Sequence, residues 1–292
     1  MTNTVELVVD AKASLGEGPI WHAQKQVLYW VDILEKKVHI YDPTANQDRA
    51  IDVGQYVGTV VPRKSGGLML ALHHGFASLD PDTQQLQIIH DPESHLPDTR
   101  FNDGKCDPAG RFWAGTMSLT GVAEAGSLYC MDKDLRVRKM LDKVTISNGI
   151  AWSLDHKTMY FIDTPTQAVA AFDYDIETGS IANRRVAISI PKEDGSPDGM
   201  TLDAEGMLWV AHWGGSRVTR WNPANGKLLQ TISVPAAQTT ACWFGGPDLD
   251  VLYITSARYG LNERALAQQP HAGGVFCVRP GVRGLEAYEF AG

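Results

Sequence analysis

The strongest constraint on this chain is that it repeats. A stretch opening with a polar residue and a glycine recurs, most clearly as "EGPIWHAQKQVLYWVDILEKKVHIYDP" from Glu17, "DGKCDPAGRFWAGTM" from Asp103, "NGIAWSLDHKTMYFIDTPTQAVAAFDYD" from Asn148 and "DGMTLDAEGMLWVAHWGGSRVTRWNP" from Asp198. Two weaker copies start near Gly58 ("GTVVPRKSGGLMLALHHGFASLDP") and Thr239 ("TTACWFGGPDLDVLYITSA"). After the glycine each copy shows a short apolar run, a polar turn and an aromatic-rich run that alternates with period two, which is strand patterning. The starts near 17, 58, 103, 148, 198 and 239 are 41 to 50 residues apart. That spacing of short strands predicts an all-β protein, a six-bladed β-propeller with four-stranded antiparallel blades.

The ring must close on itself. "VELVVD" (5–10) and "LEAYEF" (285–290) are left over at the two ends. They are expected to share the last blade and so remove an exposed edge. No linker or composition break divides residues 1–292, so a single propeller domain is expected. Helical periodicity is confined to 262–269, "NERALAQQ".

In a propeller the first strand of each blade lines the central channel. Equivalent positions therefore form a ring. The residues just before the shared glycine are Glu17, Asp103, Asn148 and Asp198, all with side-chain oxygen, while the weak copies carry Val57 and Thr239. Asp-Gly and Asn-Gly are also ordinary turn dipeptides, and any one copy reads most simply as that. Four in one register point to a hard-oxygen site at one mouth of the channel. Such ligands suit Ca²⁺, Mg²⁺ or Mn²⁺, with Zn²⁺ or Fe²⁺ open as well. Few protein ligands leave positions for water and substrate, the pattern of a catalytic metal. Arg100 and Asn102 immediately precede Asp103 and would rise from the same mouth, where they could bind hydroxyls or a carbonyl oxygen. The other reading is a solvated loop arginine and a turn asparagine.

Other chemistries lack support. The nine histidines show no HExxH spacing, and His73-His74 read as surface or strand residues. No nucleophile elbow is present. Trp21, Trp152, Trp209 and Trp243 recur at equivalent positions and read as packing between blades. Trp213 could line a pocket or sit in the core. Cys106, Cys130, Cys242 and Cys277 form no CxxC pair and read as free buried thiols of a reducing compartment. The formal net charge of −8, with no basic cluster, argues against nucleic acid and anionic membranes as partners. No apolar run approaches a membrane span and no signal peptide is evident, so a cytoplasmic location is expected. A closed ring compels no oligomer; a monomer or weak oligomer is expected.

The segments "LGEGPIW", "RFNDGKCDPAGRFWAGTM", "SNGIAWS", "PDGMTLD", "LWVAHWGG" and "FGGPDLDVLYITSAR" resemble the gluconolactonase/regucalcin (senescence-marker-protein) family, in the family's order and over roughly residues 14–280. The text is closer to bacterial aldonolactonases. The resemblance implies a six-bladed propeller with one divalent metal held by Glu17, Asn148 and Asp198. It implies sugar binding by Arg100 and Asn102, and Asp198 as general base. Animal members place a substrate-contacting Glu after "AGTM"; here "AGTMSLTG" puts Thr120 near that place, so this contact is altered. The activity implied is hydrolysis of a sugar 1,4- or 1,5-lactone to the aldonic acid. Two alternatives share the fold: a non-enzymatic calcium-binding regulator, and a metal-dependent esterase or organophosphate hydrolase.

Overall fold

The structure is a computed structural model that describes residues 4–292. It is built from strands, with one short α-helix, Glu263–Gln268, capped by Asn262, whose side chain accepts from the Ala265 amide at 2.9 Å. Among the described residues no helix is long and apolar enough to cross a membrane.

Four sheets carry four antiparallel strands each, and a fifth carries eight. In the fifth, the Asp198 copy and the Thr239 copy meet through one pair, Trp213 and Gln238. Each copy begins with an inner strand: Gly16–His22, Val57–Pro62, Thr99–Cys106, Ser147–Trp152, Ser196–Leu202 and Gln238–Gly245. Each inner strand touches the next, and the last touches the first, so the six form a closed cycle.

The polar-residue-plus-glycine signature has a structural cause. All six inner strands break register there, between Glu17 and Ile20, Val57 and Thr59, Phe101 and Gly104, Asn148 and Ile150, Pro197 and Met200, and Thr239 and Cys242. A bulge bends the strand and re-aims one side chain out of the ladder. The glycine lets neighbouring inner strands close up. A Cβ on Gly58 would lie 2.4 Å from the Asn102 carbonyl oxygen, and one on Gly199 2.4 Å from the Ala241 Cβ.

Between the sheets lie the large apolar side chains. Trp21 stacks on Tyr253 at 5.7 Å, and Trp152 meets Trp113 edge-on at 6.0 Å. Two of the buried indole N–H groups donate to aspartates, Trp113 to Asp107 and Trp209 to Asp203, both at 2.9 Å.

Closure differs from the sequence expectation in one half. The N-terminal strand Glu6–Val9 does join the last sheet, pairing with Val275–Val278. Residues 285–290 do not lie beside it. With Glu6–Val9 in the outer place no slot remains, and the tail runs on across other copies. Phe290 bridges to Arg63, the Ala291 amide donates to the Gly110 carbonyl at 3.0 Å, and His156 Nε2 is 2.9 Å from Tyr288 Oη. The alternation of "LEAYEF" reflects burial of Phe290 rather than membership of a blade.

Candidate active site

One cavity of about 270 Å³ gathers most of the sequence-predicted residues: Glu17, Arg100, Asn102, Asn148 and Asp198 all line it. They come from four inner strands, and the bulges place Glu17, Asn148 and Asp198 at equivalent points of their copies. All five are buried. Thr120 is not among them. It is exposed in the turn after Phe112–Ser118, within 3.1 Å of the Ser118 hydroxyl. Met117, still on the strand, takes the wall position instead. Leu15 and Ile146 add further apolar wall.

The acids crowd one another. Glu17 accepts from the Gly18 amide at 2.9 Å, and its carboxyl is pushed up to about 8 by burial and then by the charge of Asp103. Asp198 is raised well above the ordinary carboxylate range by burial and then by Glu17 and Asp103. Asp103, raised by burial, accepts from the Gly104 amide with Oδ1 at 2.7 Å, while its buried Oδ2 has no partner. The positive charges of Arg100, beside Glu17 and Asp198, and of Lys105, beside Glu17 and Asp103, pull the other way, but burial outweighs them. Among the described residues no group of three His, Cys, Asp or Glu is arranged to hold a metal. The hard-oxygen set here is two carboxylates, Glu17 and Asp198, with the amide oxygen of Asn148. Its oxygen chemistry fits a divalent cation, whose charge would favour the ionised form of both acids.

Beside the acids runs a hydrogen-bonded chain of polar side chains. Arg100 Nη1 donates to Asn102 Oδ1 at 2.8 Å and to the Phe101 carbonyl at 2.9 Å. Asn102 Nδ2 donates to the Ser147 carbonyl at 2.8 Å and to Asn148 Oδ1 at 3.1 Å. Both of its N–H bonds are thereby used, so Asn102 holds its neighbours and has only one oxygen lone pair to spare. Arg100 Nη2 and Nε make no protein hydrogen bond among the described residues and are free for a ligand. Burial lowers the Arg100 guanidinium to about 10, which leaves it charged at neutral pH.

Sequence reasoning missed two features. Lys105 is buried below the acids, donates to the Met200 carbonyl and lies 4.8 Å over the Trp243 ring. Its signal was a lysine inside the otherwise buried strand "TRFNDGKC". Tyr259 stands opposite, 59% exposed, with its ring centroid 6.4 Å from that of Trp213 and a 51° tilt. The two rings are tilted rather than stacked, and both line the cavity. This resolves Trp213 as a cavity residue; for Tyr259 no motif gave warning.

Comparison with known proteins agrees over the whole chain. Regucalcin of Xenopus laevis is 43% identical over 294 residues, covering 99% of this chain and 98% of that protein. A Bacillus subtilis protein whose provisional name is sugar lactone lactonase is 41% identical over 286 residues, covering 98% of both. A solved structure described as a calcium-binding protein, regucalcin, from Agrobacterium tumefaciens superposes with a TM-score of 0.94 at 29% identity, covering 99% of this chain and 97% of that one. A family model for the SMP-30/Gluconolactonase/LRE-like region matches residues 15–258. With the repeat, the ring of inner strands and these matches together, the chain belongs to the SMP-30/Gluconolactonase/LRE-like family.

Proposed function

We propose that this protein is a divalent-metal-dependent sugar lactonase, built as one six-bladed propeller domain over residues 1–292 and acting on a 1,4- or 1,5-aldonolactone. The observation that carries this reading is the cavity itself. It sets two unpaired carboxylates, an amide oxygen and a guanidinium with free N–H groups around a volume far larger than an ion. Glu17, Asn148 and Asp198 would hold the cation. Bound there, it would polarise the lactone carbonyl and favour charge on its oxygen.

The chain's own groups do the rest. Arg100 donates to ring or hydroxyl oxygens of the substrate and fixes its orientation. Trp213 and Tyr259 meet the apolar face of the sugar ring. An Asp198 oxygen takes a proton from the attacking water. The water oxygen bonds to the carbonyl carbon, the C–O bond of the ring breaks, and the departing ring oxygen takes back from Asp198 the proton it accepted, leaving as a hydroxyl and restoring the carboxylate. A neutral lactone needs no strongly basic pocket, in keeping with the net charge of −8.

A calcium-binding role without turnover is the second reading, favoured by the description of the Agrobacterium structure. One assay separates the two. The chain is stripped of metal, Ca²⁺, Mg²⁺, Mn²⁺, Zn²⁺ or Fe²⁺ is restored, and acid release is followed on a panel of sugar lactones, with aryl esters and phosphotriesters alongside. Metal-stimulated lactone hydrolysis is expected. Saturable Ca²⁺ binding with no turnover would establish the second reading, and turnover of the other esters alone would establish an esterase.

A further inference from the structure

Asparagine is a weak choice for a metal ligand unless its amide is prevented from turning, because a reversed amide presents N–H to the cation. Here every bond that could decide the orientation of Asn148 is anchored by a group of fixed character. Arg100 can only donate, so the Asn102 atom 2.8 Å from it is the oxygen. The Ser147 carbonyl can only accept, so the other end of the Asn102 amide is its nitrogen, and the same nitrogen donates to Asn148 Oδ1.

The opposite side gives the same answer independently. Thr164 Oγ1 lies 2.9 Å from the Pro197 carbonyl, which only accepts, so the hydroxyl proton points there. The hydroxyl can then only accept from Asn148, whose Nδ2 is 2.8 Å away. Asn148 Oδ1 is left with one lone pair free on a residue that lines the cavity.

We propose that Thr164 is a positioning residue for the metal, locking the Asn148 amide so that its oxygen is presented to the cation. The lock also spans two copies of the repeat, because Pro197 directly precedes Asp198. Thr164 is well placed to be rigid. Its amide donates to the Ile146 carbonyl at 3.1 Å, it opens the short 3-10 turn Thr164–Thr166, and its β-branched side chain has few rotamers. Without the hydroxyl, Asn148 Nδ2 loses its acceptor and the amide is held from one side only. Partners of this kind set ligand orientation at metal sites, and their loss costs about 10- to 100-fold in affinity.

The inference rests on Asn148 being a ligand, and its test keeps the two apart. Isothermal titration of the metal-stripped full chain with Ca²⁺, Mn²⁺ and Zn²⁺ in turn gives the tightest wild-type Kd, and the same ion is then titrated into variants with melting followed in parallel. Thr164→Val should weaken binding about 10- to 100-fold, and Thr164→Ser should bind within about threefold of wild type because it restores the hydroxyl. Thr164→Ala replaces the valine variant if that one does not fold. Equal affinity of wild type and the hydroxyl-free variant would overturn the lock, as would a serine variant no better than valine. Unchanged affinity in Asn148→Ala, or no saturable binding by wild type, would instead sink the ligand assignment and the lock with it.

Discussion

Two neighbouring inner strands, Gly16–His22 and Val57–Pro62, share a fold and differ in purpose. Both break register at the repeat glycine. The residue ahead of that glycine is Glu17 in one and Val57 in the other. Glu17 lines the cavity with its carboxyl pushed up by burial, whereas Val57 is fully buried in the largest apolar cluster. The register break therefore belongs to the architecture, which has it in all six copies, five of them with the glycine and the last with Thr240 in its place. The side chain in front belongs to chemistry only where a copy has been recruited. A site on this scaffold can be moved or erased without touching the ring.

Changes at these positions separate the two roles. The largest effect is expected from Asp198→Asn, which keeps shape and removes the proton acceptor. Its kcat on the best lactone should fall about 10²- to 10⁴-fold with an unchanged melting curve, and near-wild-type kcat would remove Asp198 as the base. Next is Glu17→Val, which makes the first copy resemble the second. It should abolish metal binding by calorimetry yet leave the metal-free protein as stable or more so, since an apolar side chain replaces a buried acid that burial already disfavours. The pH dependence gives the sign. The folded Glu17 carboxyl, at about 8, holds a proton that the unfolded chain releases above its ordinary 4.5. Stability from this group is thus present at low pH and lost as pH rises from about 4.5 to 8. The melting temperature of Glu17→Val should fall less steeply across that window, and an identical slope would count against the buried acid. Val57→Ala should do the reverse, costing about 2 kcal/mol in denaturant unfolding with kcat and KM intact. The smallest effect is expected at the mouth: Trp213→Ala should raise KM roughly fivefold, about 1 kcal/mol of lost aromatic contact, and leave kcat alone.

Much of this was legible in the sequence, because a repeat reports its own register. Lining up the copies brings Glu17, Asp103, Asn148 and Asp198 into one ring, the family resemblance narrows it to Glu17, Asn148 and Asp198, which line the cavity, and Arg100 and Asn102 follow by adjacency to Asp103. The failures share a cause. Thr120 lies in a turn outside the repeat, so nothing in the period fixed where it points. The strand at 285–290 was inferred from alternation alone, and alternation cannot tell which of two segments takes a single remaining place. The role of Asn102 as a clamp depends on hydrogen bonds across 45 and 46 residues, and that of Thr164 on bonds across 16 and 33, which no local pattern encodes.

The pairing of Glu6–Val9 with Val275–Val278 also governs how the molecule is made. Glu6–Val9 must wait for a partner strand that follows all six inner strands in the sequence. Until then it is a free edge carrying Leu7, Val8 and Val9, and closing so long a loop is slow. During synthesis the other copies can assemble as the ribosome advances, but the first sheet and the last remain unlatched. Ring closure is therefore the expected rate-limiting and most aggregation-exposed moment in the life of this protein, and truncation of the first nine residues should trap it there.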